Sequence, residues 1–137
     1  MAKLRLRADR TLLPRARSFA LDQAGRLGLP EEGLGRLDLI LEEVFLNAAE
    51  HAYGPDQGEV ELECGIDPDS PAPGFFLRLT DWAGPFNPLD QDEPDLEAPL
   101  EERGLGGLGL VLLRGMSDHA RYEREQGSNI LTIYLTV

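Results

Sequence analysis

The chain opens on a strict alternation, Lys3-Leu4-Arg5-Leu6-Arg7, and this period of two predicts a strand over 2–7 with one buried face. Pro14 suits a first helical position. Ala16, Phe19, Ala20, Ala24 and Leu27 then share one face before Gly28, which predicts a first helix. A second helix is expected from about Pro30, with Glu31 and Glu32 favourable in its first turn. Its apolar stripe, Leu34, Leu37, Leu41, Val44 and Ala48, runs at 3-4-3-4 spacing toward a stop at Gly54-Pro55. Alternation returns in Glu59–Cys64, and a further strand is read at Phe75–Thr80, with the turn lying between Asp67-Pro68 and Pro73-Gly74. Leu105–Met116 reads as a glycine-rich start followed by an apolar helix. Arg121–Glu125 and Asn129–Val137 close the chain as a hairpin around Gln126-Gly127. The order β-α-α-β-β-loop-α-β-β predicts an α+β two-layer sandwich, a mostly antiparallel sheet with helices on one face. Without repeats or a dividing linker, residues 1–137 are expected to form one domain.

Composition narrows the function classes. With 137 residues and 42% hydrophobic side chains there is enough apolar material for one core. No apolar run approaches the roughly 20 residues of a membrane span, and no signal-peptide pattern opens the chain. Cys64 is the only cysteine and His51 and His119 are the only histidines, so an internal disulfide is excluded and a structural zinc site has too few ligands. A reducing, cytoplasmic setting is the simplest expectation. The net charge of -12 argues against coating duplex DNA, which needs clustered cations. That charge is uneven. Residues 1–40 carry eight basic and five acidic groups, whereas residues 41–137 carry five basic and twenty acidic. The proline-punctuated run from Asp90 to Glu102 is acidic without a basic residue and reads as a loop.

Three clusters could carry chemistry. In the second helix, Glu43 and Asn47 are i,i+4 neighbours at the edge of the apolar stripe. A carboxamide oxygen suits Mg²⁺, and a carboxylate beside it could orient or deprotonate a hydroxyl. Taken alone, an exposed Glu-Asn pair on an amphipathic helix explains them as well. Next, Asp81 follows a strand and precedes Trp82-Ala83-Gly84-Pro85; an aspartate there could accept from an exocyclic amine, or simply form an Asx turn. The third is Gly104-Leu105-Gly106-Gly107-Leu108-Gly109, whose backbone amides could meet a phosphate at a helix N-terminus. Read literally it satisfies G-x-G-x-x-G. However, an acidic loop rather than a strand precedes it, and the chain beyond is too short for a doubly wound sheet, which disfavours an NAD-dependent oxidoreductase. A Walker A loop needs a lysine after its glycines, and Lys3 is the only lysine.

Together, in this order, the clusters resemble the GHKL, or histidine-kinase-like, ATPase superfamily, and in length its small anti-sigma-factor serine/threonine kinases. The stretches that carry the likeness are Glu43–Tyr53 and Pro99–Gly109. The resemblance implies a Bergerat-type fold, with Glu43 as catalytic carboxylate and Asn47 as Mg²⁺ ligand. It places His51 near the nucleotide and Asp81 on the adenine amino group. Gly104, Gly106, Gly107 and Gly109 would cradle the phosphates of ATP at the base of a lid spanning about 87–104. The family usually writes D-x-G at the adenine site, where this chain has Asp81-Trp82-Ala83; Ala83 fits there with an altered loop, or Gly84 compensates by a one-residue shift. Asn87 stands where an acid is common. The activity implied is transfer of the ATP γ-phosphoryl group to an anti-sigma-factor antagonist, with a sigma factor as second partner. Nucleic acid and membrane are not contacted directly, and a homodimer is left open. Arg103, Arg114 or the N-terminal arginines would supply positive charge, with Arg15 and Arg17 as candidate partner contacts. The competing reading, motivated by Ala83, is a catalytically silent, nucleotide-gated binding switch of the same fold.

Overall fold

A computed structural model describes residues 2–52 (the last two by backbone alone), 58–69, 74–84 and 116–137. Among the described residues five strands, β1 (Ala2–Arg7), β2 (Glu59–Asp67), β3 (Gly74–Asp81), β4 (His119–Glu125) and β5 (Ser128–Thr136), pair antiparallel throughout in the order β1-β2-β3-β5-β4. Two helices, α1 (Leu13–Arg26) and α2 (Glu31–Asn47), lie between β1 and β2 in sequence. The expected α+β architecture is therefore present. The helix expected at 105–116 and the lid at about 87–104 lie outside the described residues, apart from Met116.

Period-two alternation builds the core. Val60, Leu62 and Cys64 of β2, Phe75, Leu77 and Leu79 of β3, and Leu131, Ile133 and Leu135 of β5 are all buried on one sheet face. Alternate residues on a strand share a face, so the opposite face carries Lys3, Glu63, Arg78 and Thr132 in one cross-strand row. That row is tied by ion pairs from Lys3 and Arg78 to Glu63 at 3.9 and 3.5 Å, and by Arg78 Nε donating to Thr132 Oγ1 at 3.1 Å. Burial pushes the Cys64 thiol up to about 12, with Glu63 adding to the effect, so this cysteine is a core side chain rather than a nucleophile.

The helices cover the apolar face. Ala16, Ala20 and Ala24 put a small-residue stripe of α1 inward, and Leu37, Ile40, Leu41, Val44 and Phe45 do the same for α2. Gly28 sits at φ +94 just beyond α1, and Leu29 N–H closes back on the Ala24 carbonyl at 3.0 Å. This left-handed cap turns the chain directly into α2, which Pro30 precedes. The second tight reversal is the Gln126-Gly127 turn of the β4–β5 hairpin, where φ is +49 and +81, the backbone sense that matches strand twist.

At its other end α2 widens after Asn47 into a π-helical turn, Ala48–Ala52, where the apolar periodicity had predicted regular helix up to Gly54. Ion pairs mark both ends. Arg36, near the start of α2, donates to the Met116 carbonyl at 3.2 Å and lies 3.7 Å from Asp118. Asp118 in turn accepts from Thr136 N–H at 2.7 Å, at the end of β5. Glu50, beyond the end of α2, pairs at 3.8 Å with Arg10, which follows β1. The helix thus runs from the sheet end where β5 finishes to the end where β1 and β3 finish. Leu37 is fully buried under it. Leu37→Ala is expected to cost about 2–5 kcal/mol in urea unfolding; a loss below about 1 kcal/mol would show that this stripe does not seat the helix.

Candidate functional site

Seating α2 by its apolar stripe fixes what its flank presents. Arg36, Ile40, Glu43 and Asn47 follow at 4-3-4 spacing along one edge, with Ile40 buried and the three polar residues half-buried. Neighbouring carboxylates on α2 are neutralised from α1: Arg17 Nε donates to Asp38 Oδ1 at 2.5 Å, and its guanidinium lies 3.8 Å from Glu42. Arg17, a candidate partner contact by its place in the sequence, therefore bridges the two helices. Arg15 is exposed and pairs with no acid among the described residues.

Glu43 receives no cation among the described residues. Burial raises its carboxyl above the ordinary value, and the charges of Glu42 and Glu50 push in the same direction. A carboxylate whose acid form is favoured is a stronger base than an ordinary one, which suits proton transfer from a hydroxyl. Asn47, one turn on, offers a neutral oxygen where the helix starts to widen. Such single-turn widenings are frequent at functional sites.

A second candidate cluster lies at the end of β3. Asp81 extends the Phe75-Leu77-Leu79 line, so it belongs to the helix-facing side, and it is only 9% exposed. Asn129 extends the Leu131-Ile133-Leu135 line of β5 and is directly opposite Asp81 in register. Both polar residues therefore stand on the covered face, at the sheet end toward which α2 runs. Asp81 Oδ1 accepts from Ala83 N–H at 3.0 Å and from Asn129 Nδ2 at 2.9 Å. The first bond is an Asx turn, and both bonds fall on the same carboxylate oxygen. Ala83 is buried, its N–H taken by Asp81 and its carbonyl accepting from Arg124 at 2.7 Å. Gly84 has an ordinary backbone conformation, and a Cβ there would meet open space. Trp82 stays 40% exposed, with the Arg5 guanidinium 4.3 Å from its ring centre.

Sequence reasoning missed Asn129, Tyr122 and Arg124. The signal was present in Asn129: a polar residue on an otherwise apolar alternating line needs partners. The proposed phosphate glycines Gly104, Gly106, Gly107 and Gly109, together with Asn87, Arg103 and Arg114, lie outside the described residues, as does the side chain of His51. Among the described residues no group of three or more His, Cys, Asp or Glu could hold a metal by itself. A single carboxamide at Asn47 fits Mg²⁺ all the same, because that ion usually keeps waters and binds through one or two protein oxygens plus substrate phosphates. No helix of the described residues is long and apolar enough to cross a membrane.

Among the described residues, two helices cover one face of an antiparallel sheet, an α+β architecture of the histidine-kinase ATPase kind. The chain belongs to the histidine kinase-like ATPase domain family, whose profile it matches over residues 6–135. It is similar to the serine-protein kinase RsbW of Bacillus subtilis, 29% identical over 119 residues, which are 82% of this chain and 71% of that protein. The RsbW of Oceanobacillus iheyensis is 27% identical over 117 residues, 79% of this chain and 69% of its own. Among solved structures, the Acinetobacter baumannii histidine kinase AdeS aligns with 99% of this chain and 68% of that one, at 14% identity and a TM-score of 0.47.

The raised proton affinity of Glu43 has a stability consequence. Folding favours its acid form, so its favourable contribution is present below the unfolded-state value, near 4.5, and is lost as pH rises through the folded value. At neutral pH the buried charge opposes folding. Glu43→Gln is expected to raise the thermal midpoint at pH 7 and to leave it unchanged at pH 4, read by calorimetric melting. A destabilised variant at pH 7 would show that Glu43 holds a stabilising partner.

Proposed function

We propose that this protein is an ATP-dependent serine/threonine protein kinase that phosphorylates an anti-sigma-factor antagonist and restrains a sigma factor. The reading is supported by the half-buried Glu43 and Asn47 on the flank of α2, a helix that runs toward the sheet end where Asp81 stands on the helix-facing side, in a chain of this family. Support for the serine-kinase activity comes from the RsbW relatives.

In this reading Asp81 accepts from the exocyclic amine of adenine through Oδ2, its other oxygen being engaged within the protein. The serine or threonine hydroxyl of the partner gives its proton to Glu43. Its oxygen bonds to the γ-phosphorus, and the bond to the β–γ bridging oxygen breaks to release ADP. Glu43 is suited to this by its burial and by the absence of a paired cation among the described residues. Asn47 would hold Mg²⁺, which when bound neutralises phosphate charge. Positioning and charge balance do most of the work in such transfers, so a site with one base and one neutral ligand is sufficient on the protein side. The glycines from Gly104 to Gly109 would take the phosphate oxygens, and Ala83 would stand in place of the usual glycine beside the base.

The test is transfer of labelled phosphate from ATP to the cognate antagonist, with calorimetric titration of Mg-ATP alongside. Glu43→Ala is expected to lower the transfer rate by about 100-fold or more while nucleotide still binds. Asn47→Ala is expected to weaken Mg-dependent binding and transfer together. Undiminished labelling in Glu43→Ala would overturn its assignment as the base. A wild-type protein that binds Mg-ATP without transferring phosphate would favour the binding-switch alternative.

A further inference from the structure

We propose that Asn129 is a positioning residue for Asp81, held in place by Tyr122 and Arg124, so that the β4–β5 hairpin sets the selectivity of the site for the 6-amino group of adenine. The inference rests on the reading of Asp81 as the adenine contact. It adds the residues that make that contact selective.

Asn129 is 5% exposed and uses both ends of its amide. Its Nδ2 donates to Asp81 Oδ1 at 2.9 Å and to the Gly84 carbonyl at 2.9 Å. Its Oδ1 accepts from the Tyr122 hydroxyl at 2.5 Å and from Arg124 Nη1 at 3.2 Å. The amide orientation is fixed by this chemistry. Turned over, it would set its oxygen against a carboxylate and a carbonyl, and its NH₂ against two donors. The same Arg124 Nη1 donates to the Ala83 carbonyl at 2.7 Å, so β4 fastens the Trp82–Gly84 segment from the far side of β5. Cross-strand pairing explains the reach, because Tyr122 faces Leu131 and Arg124 faces Asn129.

The consequence falls on Asp81. Two fixed donors converge on Oδ1, one from the backbone and one from Asn129, which restricts both side-chain torsions of a short carboxylate. Oδ2 remains the oxygen for a ligand donor. Without Asn129 the Asx turn alone holds the carboxylate, and a group that turns between orientations discriminates poorly between a ligand with an amine and one without. Linked hydrogen bonds of this kind work as a unit, so the half-buried Tyr122 and the exposed Arg124 act through the buried amide rather than on the base.

The probes are Mg-ATP and the triphosphate of purine riboside, which has hydrogen in place of the 6-amino group. Both are titrated calorimetrically into the full chain, with melting curves for every variant. Wild type is expected to prefer ATP by about tenfold or more, the scale of a hydrogen bond to a charged acceptor. Asn129→Ala is expected to lose that preference, by weakening ATP while binding the purine analogue as before. A purely structural role would weaken both ligands alike. Tyr122→Phe keeps the ring and removes only the hydroxyl, so it tests the same network without opening the core; its preference is expected to narrow by about threefold. An unchanged preference in Asn129→Ala, or in Tyr122→Phe should the alanine variant fail to fold, overturns the proposal, as does a parallel loss for both ligands. Equal binding of the two nucleotides by wild type is a different failure. It removes the assignment of Asp81 to the amine, and the positioning role with it.

Discussion

Everything distinctive about this molecule follows from how α2 is seated. Its stripe of Leu37, Ile40, Leu41, Val44 and Phe45 is buried against the sheet, and a helix whose stripe is fully covered has one rotation about its own axis. That rotation puts Glu43 and Asn47 on the flank, half in and half out of the core. The sheet supplies the matching constraint. Its buried lines on β3 and β5 end in Asp81 and Asn129, which the antiparallel register sets opposite one another. Apolar periodicity thus places polar groups that would be costly to bury without partners.

Electrostatics then separates groups that look alike in sequence. Asp38, Glu42 and Glu43 all belong to α2, yet Arg17 from α1 reaches only the first two. Glu43 is left with burial and two repelling neighbours, which raise its proton affinity. The basic N-terminal region is in large part internal bookkeeping of this sort: Arg5, Arg7, Arg10 and Arg17 each lie beside an acid, and Arg5 also covers Trp82. An excess of arginine near a chain start is weak evidence for a partner surface when acids lie across the fold.

Much of this architecture could be read beforehand, for physical reasons. The strands at 2–7 and 59–64 and the closing hairpin announced themselves by alternation and by Gln126-Gly127, and the helices by their apolar spacing with Pro14, Gly28 and Pro30 as punctuation. The widening after Asn47 could not be seen, because the apolar stripe continues through Ala48 and no breaker comes before Gly54. Glu43, Asn47 and Asp81 stood out as chemistry in a recurring order. Asn129 breaks an apolar line and so needs a partner, but that partner lies 48 positions earlier in the chain and could not be named from the line itself. The acids that Arg17 meets on α2 were hidden in the same way: the identity of a long-range partner, unlike periodicity, leaves no local trace.

The flank of α2 and the end of β3 are proposed as the two halves of one adenine-nucleotide site. A crystal structure with Mg-ADP tests it most directly. The adenine amine is expected against Asp81 Oδ2, with Asn129 still on Oδ1, and the phosphates extending toward Asn47 and Glu43. A nucleotide bound away from Asp81, or one whose phosphates leave the flank of α2 empty, would contradict it.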